Sequence, residues 1–341
     1  MARQGGVWVL NRQSCSEAPN YYLTQDWRHF TALTEVAPER GYRWPDAELI
    51  HWRQGDGTRG TGILYKPSDF DPSKKYPVLF TYYERLSDQL YQYPIPDFTW
   101  SEINIPWFVS RGYIVCVPDI YFRIGEPGAS VLNSVVSLAD SLSLVNWVDK
   151  KHLGIQGYSW GGYETNFLVT HSKLFAAAAE GAGPTDFISG YGSLLYGGSF
   201  GVGISSEFMY EVGQMRMGAT LWQRPELYYR NSPVLFADRV QTPLLMLHNK
   251  SDYTVPFEQG VEFFTALRRL GKKVWLIQHN GDGHGMTKAT ALDNTLRMTQ
   301  FFDYYLKGLP PARWMTQGIP ADQRGVDSGL DLDTSGAIPP P

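Results

Sequence analysis

The feature that most constrains the fold is a regular alternation of short apolar segments with helical ones over residues 77–307. Short runs of β-branched and aromatic residues that do not alternate with polar ones are typical of strands buried on both faces. Alternation of such strands with helices predicts a mostly parallel, doubly wound sheet with helices on both faces. The predicted strands are PVLFTYY (77–83), YIVCVPDI (113–120), HLGIQG (152–157), FAAAAEGAG (175–183), PLLMLHN (243–249) and KKVWLIQHN (272–280), and the predicted helices cover 134–149, 161–172, 258–270 and 288–307.

The two ends of the chain have different patterns from the 47–308 domain, which itself begins with a predicted hairpin. Residues 1–46 contain three short strand-like segments (5–12, 20–25 and 29–36) at about ten-residue spacing, which predicts an antiparallel meander. Such a meander is typical of one β-propeller blade, and a plain hairpin packed on the main domain is the alternative. Residues 309–341 hold six prolines and four glycines, and we expect a C-terminal extension that is mobile after Gln323.

Charge and composition exclude several classes of function. Thirty basic and thirty-four acidic residues give a net charge of −4, which argues against a nucleic-acid partner because phosphate binding requires a basic surface. No apolar run approaches the roughly 18 residues of a membrane span, and the start of the chain lacks the apolar core of a signal peptide. We therefore expect no membrane partner and a protein that is either cytoplasmic or a trimmed piece of an exported one. The two cysteines predict neither a disulfide framework nor a metal site.

The strongest chemical signal is the segment GYSWGG, which has the G-x-S-x-G form and centres on Ser159. A strand is predicted before it and a helix after it, which is the context that a nucleophile elbow requires. The tight turn needs glycines, because a Cβ at either flank would collide with neighbouring backbone. At the start of the helix, the backbone N–H of Trp160 is available to a developing oxyanion.

A serine hydroxyl needs a base to accept its proton and an acid to orient that base. In α/β-hydrolases the acid precedes the histidine, and each follows a strand end. Asp252 follows the strand at 243–249, and His284 follows the strand at 272–280, in the order that Ser159 requires. Asp282 is too close to the histidine in sequence to orient it, and Asp238 precedes its strand. His248 and His279 lie in or at the end of predicted strands and are interpreted as packing residues. The remaining histidines precede the serine or lie too near it: His29, His51, His152 and His171.

A second oxyanion donor is expected from the loop after the strand at 77–83. Many hydrolases have a glycine-rich HGG segment there, but this chain has Tyr82 and Tyr83 instead. A phenol that donates its O–H would replace the missing backbone donor. Because successive side chains of a strand point to opposite faces, at most one of the two tyrosines can face the site.

These motifs resemble the catalytic domain of the prolyl oligopeptidases and dipeptidyl-peptidases, over residues 47–307. Ser159 in GYSWGGY, Asp252 in HNKSDYTVPF and His284 in GDGHGM correspond to the nucleophile, acid and base of that family. The resemblance implies an α/β-hydrolase fold with no cofactor. It also implies a tyrosine in the oxyanion hole, and counting from the KYP segment at 75–77 assigns that role to Tyr83.

The resemblance leads us to expect a serine peptidase that cleaves short peptides, including bonds after proline. Phe187, Tyr191 and Val255, together with Trp160, are candidates for a flat apolar substrate pocket. The resemblance implies a propeller domain before the hydrolase domain, and we expect residues 1–46 to be at most its last blade. The propeller contains the acidic pair that binds a substrate amine, so dipeptidase specificity does not transfer. A carboxylesterase for small acyl esters is the alternative enzyme, and a non-catalytic interaction module is the alternative of another class.

Overall fold

A computed structural model describes residues 5–195 and 203–339. Its secondary structure follows the predicted alternation closely. The strands are β1 (Trp8–Ser14), β2 (Glu17–Thr24), β3 (Thr31–Ala32), β4 (Pro45–Arg53), β5 (Arg59–Pro67), β6 (Tyr76–Thr81), β7 (Ile114–Pro118), β8 (Val148–Tyr158), β9 (Ala177–Gly181), β10 (Leu194–Leu195), β11 (Ile204–Ser205), β12 (Leu244–Leu247) and β13 (Val274–Ile277). The helices are α1 (Ile105–Ser110), α2 (Pro127–Leu142), α3 (Trp160–His171), α4 (Phe187–Tyr191), α5 (Glu207–Glu211), α6 (Pro225–Arg230), α7 (Phe257–Arg269), α8 (Lys288–Lys307) and α9 (Arg313–Thr316), with short 3₁₀ segments at Ser87–Tyr91, Pro233–Arg239 and Ala321–Gln323.

An eight-stranded sheet forms the centre of the molecule, in the spatial order β13–β12–β9–β8–β6–β7–β5–β4. The six strands from β13 to β7 are parallel, whereas β5 is antiparallel to both β7 and β4. The predicted hairpin of the main domain is therefore the antiparallel edge of a mostly parallel sheet. The carboxyl ends of the parallel strands meet at one edge, where the loops that follow β6, β8, β12 and β13 converge.

Helices cover both faces of the sheet and divide the core into two layers. Val78 and Phe80 of β6 point into the layer that contains α2, α3 and α7. Leu79, between them, points into the opposite layer, which contains α1 and α8. Burial of each such side chain contributes roughly 1.5–3 kcal/mol, so a strand that is apolar at every position is stable only between two helical layers.

The position of α2 differs from its prediction. The sequence predicts a helix over 134–149, but α2 covers Pro127–Leu142. Proline is favourable in the first turn of a helix because its missing N–H has no intrahelical acceptor there, and Pro127 begins α2. At the other end, Val148 pairs with Tyr76 as the first residue of β8. The apolar periodicity at the end of the predicted helix thus comes from a turn and a strand.

The N-terminal segment forms a separate antiparallel sheet in the order β1–β2–β3, as its spacing predicts. Three short antiparallel strands are consistent with the expected remnant of a propeller blade. It packs against the main domain through Trp44, whose indole N–H donates to the carbonyl of Cys15 over 2.8 Å and whose ring stacks on Tyr93 at 5.0 Å. With Ala18, these two rings form a small buried cluster, which adds apolar burial that three short strands lack by themselves.

The C-terminal extension folds back onto α8 in the structure. Gln300 and Arg297 of that helix donate to the backbone carbonyls of Leu330 and Ser328 over 2.6 and 2.9 Å. Asp333 is buried and accepts from the Thr316 hydroxyl over 2.6 Å. The segment after Gln323 therefore has defined contacts up to residue 335, and its mobility stays a prediction.

Within residues 5–195 and 203–339, no helix combines the length and the apolar character that a membrane span requires. In the same residues, no three His, Cys, Asp or Glu side chains are grouped so as to hold a metal ion.

Candidate active site

Ser159 lies at the sharp turn between β8 and α3. Its backbone angles, φ 58° and ψ −116°, are rare for a residue with a side chain and indicate local strain. A Cβ at Gly157 would lie 2.1 Å from the carbonyl oxygen of Gly161, so the turn excludes any side chain at that position. The Ser159 N–H donates to the Gly181 carbonyl of β9 over 2.7 Å, which fixes the turn to the sheet.

His284 and Asp252 lie next to this serine, although 125 and 93 positions separate them from it in sequence. His284 Nδ1 is 2.7 Å from Asp252 Oδ2, and His284 Nε2 is 2.8 Å from Ser159 Oγ. Because an ionised carboxylate only accepts, Nδ1 carries the proton and donates it to Asp252. Nε2 is then the acceptor for the serine hydroxyl, which is the tautomer that a general base requires.

Asp252 is held by backbone groups that follow it. Its side chain is fully buried, and Oδ1 accepts from the N–H groups of Thr254 and Val255 over 2.9 and 3.0 Å. Oδ2 thus remains directed at His284. A second buried histidine, His248, lies 3.7 Å from the same oxygen, and burial lowers its pKa below the ordinary range. The Nε2 of His248 donates to the Val255 carbonyl over 3.0 Å.

The glycine-rich loop that carries His284 is fixed by side chains that the sequence did not identify. Tyr158, the residue before the serine, donates its hydroxyl to the His284 carbonyl over 2.6 Å, and Asn249 donates to the Gly283 carbonyl over 2.9 Å. Burial, with a smaller contribution from the nearby Asp252 charge, raises the pKa of Tyr158 well above its usual value, so the phenol keeps its proton. The G-x-S-x-G pattern leaves position 158 open, and so no motif could have revealed this contact.

The two tyrosines after β6 differ in burial and in hydrogen-bond partner. Tyr82 is fully buried, and its hydroxyl is 2.9 Å from Thr165 Oγ1 in α3. Tyr83 is half-buried; its ring is close to the elbow at Gly161, and its hydroxyl accepts from Gln214 Nε2 over 3.3 Å. The role of Tyr83 in the oxyanion hole stays a prediction, whereas the Tyr82 hydroxyl is engaged with Thr165 in the core.

Trp160 is the first residue of α3 and directly follows the serine. The first N–H groups of a helix have no intrahelical acceptor, so the role of its backbone N–H as an oxyanion donor stays a prediction that its position at the start of α3 allows. The phenol of Tyr83 approaches this end of α3 from the loop after β6. The two predicted oxyanion donors thus come from two different loops at one edge of the sheet.

A small cavity of about 50 Å³ opens beside Ser159 and has mostly apolar walls. Val255 and Trp160 line it, and their contact with a substrate stays a prediction. Phe187 and Tyr191 are 0% and 3% exposed and belong to the aromatic cluster behind the wall, so their contact with a substrate stays a prediction. The described lining residues are Ser159, Trp160, Pro184, Ser193, Leu195, Ser206, Met209, Tyr210, Gln214, Met215, Thr254, Val255, Pro256 and Gln259.

Residues 98–309 match the model of the prolyl oligopeptidase family. An uncharacterized peptidase of Bacillus subtilis, YuxL, is 24% identical over 246 residues, which is 71% of this chain and 36% of that protein. Dipeptidyl-peptidase 5 of Porphyromonas endodontalis is 25% identical over 65% of this chain and 32% of its own length. The chain thus spans about a third of the length of these relatives.

A solved structure provides the fold-level comparison. The acylaminoacyl peptidase of Pyrococcus horikoshii superposes with a TM-score of 0.66 at 22% identity, over 90% of this chain and 49% of that protein. This similarity confirms the predicted α/β-hydrolase fold with its mostly parallel sheet.

Proposed function

This chain belongs to the prolyl oligopeptidase family, as its motifs predict, and on that premise we propose that it is a serine peptidase with Ser159 as nucleophile, His284 as base and Asp252 as the orienting acid. The observation that carries the proposal is the continuous hydrogen-bond chain from Ser159 Oγ through the imidazole to the buried carboxylate, with distances of 2.8 and 2.7 Å. These residues are distant in sequence, but each lies beyond the carboxyl end of a parallel strand of the same sheet: Ser159 after β8, Asp252 after β12 and His284 after β13.

The proposed reaction proceeds through an acyl-enzyme. Ser159 Oγ attacks the acyl carbon while His284 Nε2 takes its proton, and Asp252 stabilises the imidazolium that forms. The negative charge on the former carbonyl oxygen is stabilised by the Trp160 N–H and the Tyr83 O–H. The imidazolium then protonates the leaving amine, and a water activated by the same histidine releases the acyl group. Each oxyanion donor contributes about 10²–10³ in rate in comparable sites.

The cavity beside the serine supports a small apolar residue on the acyl side of the cleaved bond. A volume of about 50 Å³ has room for only a few water-sized groups, and its walls include Met209, Met215 and Val255. Such a site suits a compact side chain such as the proline ring better than a long or charged one. We therefore infer that short peptides with proline or another small apolar residue at this position are the substrates.

Covalent labelling tests the nucleophile. A fluorophosphonate probe is expected to label the wild-type protein, and Ser159→Ala is expected to abolish labelling with an unchanged thermal midpoint. Ser172→Ala, at the other end of α3, is the matched control and should label normally. Labelling of Ser159→Ala at the wild-type rate would exclude Ser159 as the nucleophile.

Substrate comparison tests the reaction type. A Gly-Pro anilide, a Gly-Leu anilide and a small chromogenic acyl ester are compared by kcat/KM. The proposal predicts turnover of the anilides with preference for proline over leucine. Turnover of the ester alone would identify a carboxylesterase. Equal kcat/KM values for the two anilides would refute the role of the small cavity.

A further inference from the structure

The hydroxyl of Tyr83 has a polar partner that the proposed mechanism does not use. Gln214, which follows α5, lines the cavity beside Ser159 and places its amide Nε2 3.3 Å from the Tyr83 oxygen. An amide NH₂ only donates, so the phenol oxygen is the acceptor in this contact. A phenol has one proton, and a phenol that accepts from Gln214 retains that proton for a different acceptor.

We propose that Gln214 is a positioning residue of the oxyanion hole. It donates a hydrogen bond to the Tyr83 oxygen and thereby leaves the Tyr83 O–H directed at the oxyanion. This inference rests on the proposed function of Tyr83 and deepens it. Without a partner on its acceptor side, the hydroxyl rotates about its C–O bond and spends part of its time away from the reacting oxygen. A preorganised donor stabilises the transition state better than one that must reorient during the reaction.

A partly exposed ion pair connects the Gln214 segment with the Tyr83 loop. Arg216 Nη2 lies 2.6 and 2.8 Å from the two carboxylate oxygens of Glu84, the residue after Tyr83. The same guanidinium donates through Nη1 to the backbone carbonyl of Gln214. One side chain therefore joins the backbone of Gln214 to the residue beside the phenol, and charge-assisted hydrogen bonds of this kind are stronger than neutral ones.

The backbone at Arg216 is strained in a way that this connection explains. Its φ is 57°, in the left-handed region that residues with side chains rarely adopt. The conformation is maintained by the Glu84 contacts, by the Phe122 ring 4.7 Å from the guanidinium carbon, and by the Gly125 N–H, which donates to the Arg216 carbonyl over 2.6 Å. Strain of this kind persists only where the surroundings impose it, and it clusters at functional sites.

Exchanging the donor at position 214 for an acceptor tests the proposal. Gln214→Glu keeps the shape of the side chain but replaces its NH₂ with a carboxylate oxygen, which accepts the Tyr83 proton and withdraws it from the oxyanion. We expect kcat to fall by at least about 10-fold with KM nearly unchanged, because the lost donor acts mainly in the transition state. Gln214→Leu removes the partner without capturing the proton, and its loss should be smaller.

The experiment combines both variants with Tyr83→Phe in double-mutant cycles on an anilide substrate, with thermal midpoints as the folding control. Because the two residues act through one hydroxyl, Gln214→Glu should reduce kcat no further once Tyr83→Phe is present. The proposal is overturned if the losses of kcat in Tyr83→Phe and Gln214→Glu multiply in the double variant. It is also overturned if kcat is unchanged in Gln214→Glu. If Gln214→Glu fails to fold, the cycle with Gln214→Leu decides by the same criterion.

Failure of this inference is distinguishable from failure of the proposed function. A large loss in Tyr83→Phe with none in Gln214→Glu overturns the role of Gln214 and leaves the oxyanion donor in place. An unchanged kcat in Tyr83→Phe overturns both the role of Gln214 and the role of Tyr83 as an oxyanion donor. Fluorophosphonate labelling of wild type and Ser159→Ala tests the nucleophile independently of either tyrosine or glutamine.

Discussion

Tyr83→Phe and Tyr82→Phe each remove a single hydroxyl, at adjacent positions. We expect the first variant to lose activity and the second to lose thermal stability. The Tyr83 hydroxyl accepts from Gln214 Nε2 over 3.3 Å, a long and only partly buried contact. Tyr83→Phe should therefore leave the thermal midpoint unchanged. Loss of an oxyanion donor should lower kcat by about 10- to 100-fold with little effect on KM.

The Tyr82 hydroxyl is in the core and serves stability. Thr165 donates its own proton to the Gly161 carbonyl over 2.9 Å, so the Tyr82 O–H is the donor in the 2.9 Å contact with Thr165. Removing one neutral buried hydrogen bond of this kind costs about 1 kcal/mol. For a chain of this length, that loss corresponds to a decrease of about 2 °C in the thermal midpoint. The value of kcat should stay within about 2-fold of wild type, a change of under 0.5 kcal/mol in the barrier.

Steady-state kinetics on an anilide substrate and thermal unfolding, measured on the same preparations, check both expectations. If Tyr82→Phe loses more activity than Tyr83→Phe, the assignment of the oxyanion donor is wrong by one residue. If neither variant loses activity, the hole consists of backbone N–H groups alone.

Three further predictions concern the acid, the sheet behind the elbow and the elbow itself. Asp252→Asn should lower kcat by about 10⁴-fold, as comparable triads do when the imidazole adopts the wrong tautomer, with the fold retained by circular dichroism. Burial raises the pKa of Glu180 from its ordinary 4.5 to about 8. The folded protein therefore keeps a proton that the unfolded chain has lost, so the free energy of unfolding should fall as the pH rises from 4.5 to 8. Glu180→Gln should remove most of this pH-dependent decrease of several kcal/mol, as measured by denaturant titrations between pH 4.5 and 8. If the variant shows the same pH dependence as wild type, Glu180 is not the group responsible. Gly157→Ala should fail to fold or lose several kcal/mol because its Cβ would lie 2.1 Å from the Gly161 oxygen, whereas Gly192→Ala, which has open space, should melt like wild type.

The order of strands and helices in the main domain could be predicted because buried parallel strands are uniformly apolar and the helices between them are not. The prediction was wrong at α2, where apolar periodicity continued past the true end at Leu142. The spacing of apolar residues indicates which positions are buried but not whether they belong to a helix or a strand. Val148 fits the helical spacing, yet it is buried as the first residue of β8. The boundary was decided by pairing with Tyr76, which is a tertiary contact.

The sequence by itself determined the α/β-hydrolase fold and nominated Ser159, Asp252 and His284, because these depend on local pattern and on position after strand ends. Strand direction brings such positions to one edge whatever the loops contain. Only the tertiary structure decided what surrounds them. Tyr158 and His284 are 126 positions apart, and Tyr83 and Gln214 are 131 apart, yet each pair shares a hydrogen bond. Contacts between distant loops leave no periodic or local signal, since they depend on how the whole core packs.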